Sequence, residues 1–313
     1  SVVAIANILL DGIMRQRFHA EPRVQATELL LQERTPRDVS VAHPRAEEVR
    51  TAPRVEDLPL PEVRRLHSPH DATPQVHLLS NGRYAVMVTA AGSGYSRWQD
   101  IGVTRWREDP TRDDTGSYLF IRDVESGRVW SAGYQPTGVE PESYQVTFTE
   151  DRAEFQRTDA RISTTLEIIV SPEEDAEVRQ LSLTNTGSRE RDLEVTSYAE
   201  LALAPPAADA AHPAFSKLFV QTEYVARYGA LLATRRKRAS GEPDVWAADQ
   251  AVIEGEVLDS PEIETDRARF LGRGHEVRAP AAMLADRRLS NTVGTVLDPV
   301  FVLRHRVRVP PGA

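Results

Sequence analysis

The chain has 313 residues, 40% of them apolar and 27% charged, enough for one large or two modest domains of ordinary globular composition. A net charge of −9 argues against a dedicated nucleic-acid binder, which carries a basic face. With no cysteine, disulfide scaffolds, thiolate zinc sites and cysteine nucleophiles are excluded.

Residues 2–16 carry apolar side chains at Val2, Ile5, Ala6, Leu9, Leu10 and Ile13, steps of three and four that predict one face of a helix. The apolar run Val2 to Leu10 is stopped by Asp11, short of the roughly 20 residues a bilayer span needs. No basic segment precedes it, so no signal peptide is expected. A second helix is predicted from Glu21 to Glu33, with Pro22 in the first turn and Thr35-Pro36 ending it. From Thr35 to Pro74 seven prolines break any long element, and an extended linker is expected. Its His43, His67 and His70 have no carboxylate at convincing ligand spacing, so no metal site is assigned. The expected division is a helical segment over 1–34, a Pro-rich linker over 35–75 and a β domain over 76–313.

From Val76 onward the pattern is β. Asn81-Gly82 is a hairpin signal, and the Val-rich run Tyr84 to Thr89 follows it. Further strands are predicted at 118–122, 144–148, 153–157, 162–170, 177–184, 191–203, 230–234, 294–297 and 300–309. Turn formers such as Asn185-Thr186-Gly187 separate them. So many short strands predict an antiparallel sandwich. Ala204–Phe215 and Asp259–Pro280 are read as long irregular loops between strands, and Arg235–Arg238 as a solvated basic turn.

Between two of these strands lies a patch of aromatics and charges: Tyr95, Arg97, Trp98, Asp100, Arg105, Trp106, Arg107, Glu108 and Asp109. Ring faces cover the C–H surface of a sugar, and charged forks hydrogen-bond its hydroxyls. The alternative is that these residues only pack and pair within a sandwich. Adjacent acids such as Glu108/Asp109, Asp113/Asp114 and Glu173/Glu174 are read as surface turns. No Gly-rich phosphate loop, serine elbow, HExxH or dinucleotide fingerprint is present, and no cofactor is expected.

The stretches SGYSRWQD, TRWRED and TRDDTGSYLFIRD resemble the start of the N-terminal β domain of the inverting disaccharide phosphorylases of glycoside hydrolase family 94. In this version they most resemble the copy within bacterial cyclic β-1,2-glucan synthases. HPAFSKLFVQTEY, IETDRARFLGRG and GTVLDPVFVLRHRVRVPPG agree in order, and the opening ANILLDGIMRQRFHAEPRVQATELLLQERTPR resembles the junction ahead of that domain. The resemblance implies a mainly β fold, a large antiparallel two-sheet β-supersandwich like that of galactose mutarotase. It also implies that the catalytic acid and the main phosphate ligands lie on a following (α/α) barrel, leaving no catalytic residue in this chain. The expected saccharide-facing residues are Tyr95, Trp98, Arg105, Arg107 and Asp113. Arg105, Arg107 and Asp113 match the family's Arg-x-Arg and downstream Asp, while Trp106 and Glu108 replace frequent tyrosines, so acceptor preference does not transfer.

The partners implied are β-1,2-glucan or another glucose oligosaccharide, the barrel of the same polypeptide and a possible homodimer copy. Nucleic acid is not among them. The resemblance places the chain in the cytoplasmic portion of a bacterial protein associated with the inner membrane, and the chain is expected to be one piece of it. A stand-alone glucan-binding module and a purely structural or dimerisation domain remain open. A mutarotase reading would need His212 or His275 with Glu223 or Glu276, and nothing in their spacing demands it.

Overall fold

The computed structural model describes residues 2–22, 24–25, 63–107, 109, 112–238, 240–285 and 287–312. The chain divides into two compact units, Ser1–Pro59 and Leu60–Ala313. Each is described on its own.

In the first unit, the single helix expected over 2–16 is two helices, Val2–Leu9 and Ile13–His19. Asp11 and Gly12 take left-handed φ values of 50° and 77°, which an uninterrupted helix does not allow. Asn7 holds the corner, its side-chain oxygen accepting from the backbone N–H of Met14 at 3.0 Å and of Arg15 at 3.3 Å. Ile8, Leu9, Leu10 and Phe18 are exposed. Pro22, Val24 and Gln25 are helical. The rest of the helix expected to Glu33, and the linker as far as Glu62 with His43, lie outside the described residues.

The second unit is antiparallel throughout and is built from three sheets. The five-stranded sheet runs in the order Arg64–Leu66, Ser143–Phe148, Arg152–Asp159, Ile162–Val170, Glu177–Asn185. The Pro-rich stretch therefore gives way to regular structure before its predicted end, because Arg64–Leu66 pairs with Phe148–Val146 as an edge strand. His67 and His70 follow it. His70 pairs with Glu140 at 2.7 Å. Among the described residues no cluster of three or more His, Asp or Glu is placed to hold a metal ion.

The ten-stranded sheet is organised on the long strand Arg191–Ala204, which pairs with Pro299–Val309, with Ser117–Asp123 and with Ile101–Thr104. A meander of Ile101–Thr104, Gly94–Trp98, Tyr84–Thr89 and Val76–Ser80 completes one side. The hairpin foreseen at Asn81-Gly82 is displaced by one residue. Ser80 faces Ala85, and Asn81 donates to the Tyr84 carbonyl, so Gly82 and Arg83 are the central turn residues. Gly82 alone takes the positive φ, 89°, as a turn with glycine in its first central position requires. Asn81 instead braces the turn, its Oδ1 accepting from the N–H groups of Arg83 and Tyr84. The third sheet has four strands, ordered Val245–Gln250, Ala230–Arg235, Val220–Val225, Gly294–Thr295.

Three apolar clusters hold these layers together. Val86, Val88, Trp130, Phe148, Phe155, Ile162, Ile168 and Leu193 join the five-stranded sheet to the large one. Alternation in Pro299–Val309 sends Val300 and Val302 to a second cluster with Tyr118, Phe120, Tyr198 and Phe270. The intervening Phe301 and Leu303 enter a third cluster with Leu201, Leu203, Val220, Leu231 and Val245. Burial on both faces explains why this strand reads as a continuous apolar run.

Both segments read as irregular loops hold regular structure. Within 204–215, proline at the first turn starts the short helices Pro206–Ala211 and Pro213–Lys217. Within 259–280 lie the strand Glu262–Asp266 and the helix Arg267–Leu271, capped by the Asp266 side chain accepting from Ala268 N–H.

Candidate functional site

The aromatic and charged patch folds as the end of strand Gly94–Trp98, the strand Ile101–Thr104 and the loop that leaves it toward Ser117. The chain passes from interior to surface where the loop begins. Arg105 is 2% exposed, whereas Trp106 and Arg107 are exposed. Tyr95 meets the Trp106 ring edge-on, with centroids 5.5 Å apart. This pair and Arg107 form an amphipathic surface of the kind that suits a pyranose.

Beneath that surface Arg105 is the hub of a buried charge cluster. Its Nε and Nη2 donate to the two Asp209 carboxylate oxygens, both at 2.9 Å. Its Nη1 lies 3.5 Å from Glu200 and 3.9 Å from Asp298. Arg267 donates to Glu200 at 2.5 Å, and Lys217 pairs with Asp298 at 2.5 Å. Burial alone would raise the Asp209 and Glu200 pKa values. Arg105 for the first, and Arg267 with Tyr198 and Arg105 for the second, outweigh it and hold both carboxyls below their usual range. Burial likewise opposes charge on Arg105, but Asp209 reverses it and the guanidinium pKa is raised. Three cations face three anions, drawn from strand Arg191–Ala204, three helices and the residues next to two strands. Each of the three carboxylates has a cationic partner within the cluster: Asp209 has Arg105, Glu200 has Arg267 and Asp298 has Lys217.

The loop returns through Asp113, which is half-buried. The Ser93 hydroxyl donates to its carbonyl at 2.7 Å and the Thr89 hydroxyl to its carboxylate at 3.4 Å. Burial raises the Asp113 pKa, the two hydroxyls oppose this and Asp114 adds to it. Gly94 N–H donates to the Thr115 carbonyl at 2.9 Å, pinning the same limb. Arg112 approaches Glu276 at 3.8 Å. Through that contact the loop adjoins an open, mainly apolar recess of about 510 Å³ lined by Val129, Val139, Pro280, Met283 and Leu284. His275, Glu276 and Arg278 are its exposed polar residues.

The family model of the glycosyl hydrolase 94 supersandwich domain matches residues 61–313. The chain belongs to this family. Over its full length it is 43% identical to cyclic beta-(1,2)-glucan synthase NdvB of Rhizobium meliloti (strain 1021). It spans 11% of that protein's length. It is 26% identical over 161 residues to N,N'-diacetylchitobiose phosphorylase of Vibrio furnissii, half of this chain and 20% of that one. It is 25% identical over 195 residues to solabiose phosphorylase of Paenibacillus borealis, 62% of this chain and 24% of that one. Among the described residues no helix is long and apolar enough to cross a membrane.

In this supersandwich domain the five residues expected to face sugar do not share one surface. Tyr95 and Arg107 lie on the exposed side of the patch and Asp113 at its returning limb. Arg105 is inside, anchoring the loop. Trp98 is three positions from Tyr95 on one strand, so the two side chains point to opposite faces. Trp98 Nε1 donates to Asp175 at 2.7 Å, and its ring packs on the main core. Trp106, a member of the aromatic patch but not among the five expected residues, is the ring that pairs with Tyr95. The residues weighed for mutarotation are scattered: His212 joins two short helices, Glu223 lies on the small sheet, and His275 and Glu276 border the recess. His275 Nδ1 is 2.9 Å from the Ala279 carbonyl oxygen, within its own loop.

Proposed function

We propose that this chain is a non-catalytic, carbohydrate-associated module of a cyclic β-1,2-glucan synthase. It would support a phosphorylase-like (α/α) barrel lying outside the chain and lend Tyr95, Trp106, Arg107 and Asp113 to a glucan-facing wall. Inverting phosphorolysis needs a proton donor for the leaving oxygen and a pocket that holds the attacking phosphate. The observation that carries the reading is the Arg105 cluster. The charges next to the aromatic patch are spent on each other and on fixing the loop, and Trp106 and Arg107 are left to face outward. The 43% identity to a protein named as a cyclic glucan synthase supports the substrate class.

The test uses the purified 313-residue chain with linear and cyclic β-1,2-glucans and inorganic phosphate. Neither glucose 1-phosphate nor shortened glucan should form, and turnover would overturn the reading. In calorimetry, heat of glucan binding that vanishes in Tyr95→Ala or Arg107→Ala would favour a self-sufficient binding module. A silent titration at millimolar sugar leaves the supporting role.

A further inference from the structure

The four-stranded sheet turns one face to the third apolar cluster and the other to solvent. Val220, Leu231, Ala233 and Val245 point inward. On the outward face the register sets four side chains in one row across all four strands. Trp246 opposes Thr234, Thr234 opposes Gln221, and Gln221 opposes Thr295. Trp246 is 63% exposed, on a strand that forms the sheet's edge. Such exposure is rare for a residue whose ring contributes most when buried. Gln221 Nε2 donates to Thr295 Oγ1 at 3.3 Å, and Thr234 Oγ1 donates to the Val245 carbonyl at 3.1 Å, so the polar part of the row is already oriented.

The charge of this face is also distinctive. In a chain with 27% charged residues, Glu223 is the one charged side chain among the outward positions of strands Val220–Val225, Ala230–Arg235 and Val245–Gln250. A charged protein or phosphate partner would find little to pair with. A neutral polyol would find a ring to stack on and amide and hydroxyl groups to bond. Four strands at about 4.8 Å spacing give a row of roughly 14 Å. That suits a short oligosaccharide better than a single ring.

We propose that the row Trp246, Thr234, Gln221 and Thr295 is a second saccharide-binding surface, separate from the Tyr95–Trp106 patch, that takes a linear segment of neutral β-glucan. Trp246 stacks on one pyranose face, and Gln221 and the threonines bond hydroxyls of the following residues. The choice of glucan rests on the carbohydrate reading above, and the choice of a neutral, extended ligand rests on the face itself.

The chain has four tryptophans, so labelling with 5-fluorotryptophan gives a small set of fluorine resonances, assigned with Trp246→Phe and Trp106→Phe. During titration with linear β-1,2-glucooligosaccharides the Trp246 signal should shift saturably, and should still do so in Trp106→Ala. Gln221→Ala should weaken the midpoint by about threefold, as expected for one hydrogen bond. If the Trp106 signal moves and that of Trp246 does not, the second surface is overturned while the proposed function stands. If no tryptophan signal moves, the second surface is likewise overturned. A Trp246 shift that follows protein concentration without sugar would make this face a contact between copies and overturn the assignment.

Discussion

Arg105 and Asp209 are 104 residues apart in sequence and are joined by two parallel hydrogen bonds of 2.9 Å in the buried interior of the domain. This fork ties the start of the loop that carries Trp106 and Arg107 to the helix Pro206–Ala211. The surrounding Glu200, Asp298, Lys217 and Arg267 extend the tie to strand Arg191–Ala204, to the start of Pro299–Val309 and to two more helices.

Removing one partner of a buried pair leaves an uncompensated charge. Asp209→Ala is expected to destabilise the domain by about 3–5 kcal/mol, read as a drop in the urea midpoint at constant slope. Replacing Arg105 by Met should cost at least as much as Asp209→Ala, because it leaves three carboxylates facing only Lys217 and Arg267. A clearly smaller cost would show that Arg105 is not the hub of the cluster.

Asp249 gives the domain a pH dependence of the less common sign. Burial, reinforced by Glu177 and opposed by Ser197 and Arg179, pushes its carboxyl up to about 6 from 3.8. The unfolded chain releases this proton first, so stability from this group is complete below pH 3.8 and is lost as pH rises through 6. Two pKa units correspond to about 3 kcal/mol as an upper figure. Asp249→Asn should therefore stabilise the domain at pH 8 by about 1–3 kcal/mol and change little near pH 4. Parallel denaturation curves at the two pH values measure it, and equal gains at both would reject the account.

Gly94 sits where a side chain has no room. A Cβ there would press into the Met87 carbonyl on the neighbouring strand, a backbone group with no freedom to move aside. Gly94→Ala should lose the soluble, cooperatively unfolding protein, whereas Gly127→Ala, where a Cβ meets nothing within 4 Å, should cost only the strain of a positive φ, about 1 kcal/mol. Yield and circular dichroism separate the two.

Trp98→Phe removes the bond to Asp175 while keeping most of the ring's packing. A loss of about 0.5–1.5 kcal/mol is expected, with any heat of glucan binding that depends on Tyr95 unaltered. Calorimetry on this variant beside Tyr95→Ala checks that the two faces are independent.

The strands most visible in sequence were those with a one-sided environment. Ile162–Val170 alternates between core and solvent, and its predicted bounds coincide with those observed, as do those of Tyr84–Thr89. Strands such as Ile101–Thr104 and Val220–Val225 escaped because their alternation is short and mixes polar residues into buried positions: Thr104 and Thr222 are both buried. The helices within 204–217 escaped because prolines read as loop formers also start helices. For the candidate site, the composition of the patch singles out the stretch 95–109 in the sequence. Which residue turned inward depended on Asp209, a partner that no local pattern announces. The exposure of Trp246 is not legible in the sequence either, since it depends on the register of its edge strand against Ala230–Arg235.

The buried fork has a bearing on how the loop behaves in different media. Dissolved ions weaken contacts between charges at the surface, but they cannot enter a space where the guanidinium is almost fully enclosed. The position of Trp106 and Arg107 should thus be the same in dilute buffer and in molar salt. Any contact that these two residues make with an uncharged ligand would then change little with added salt.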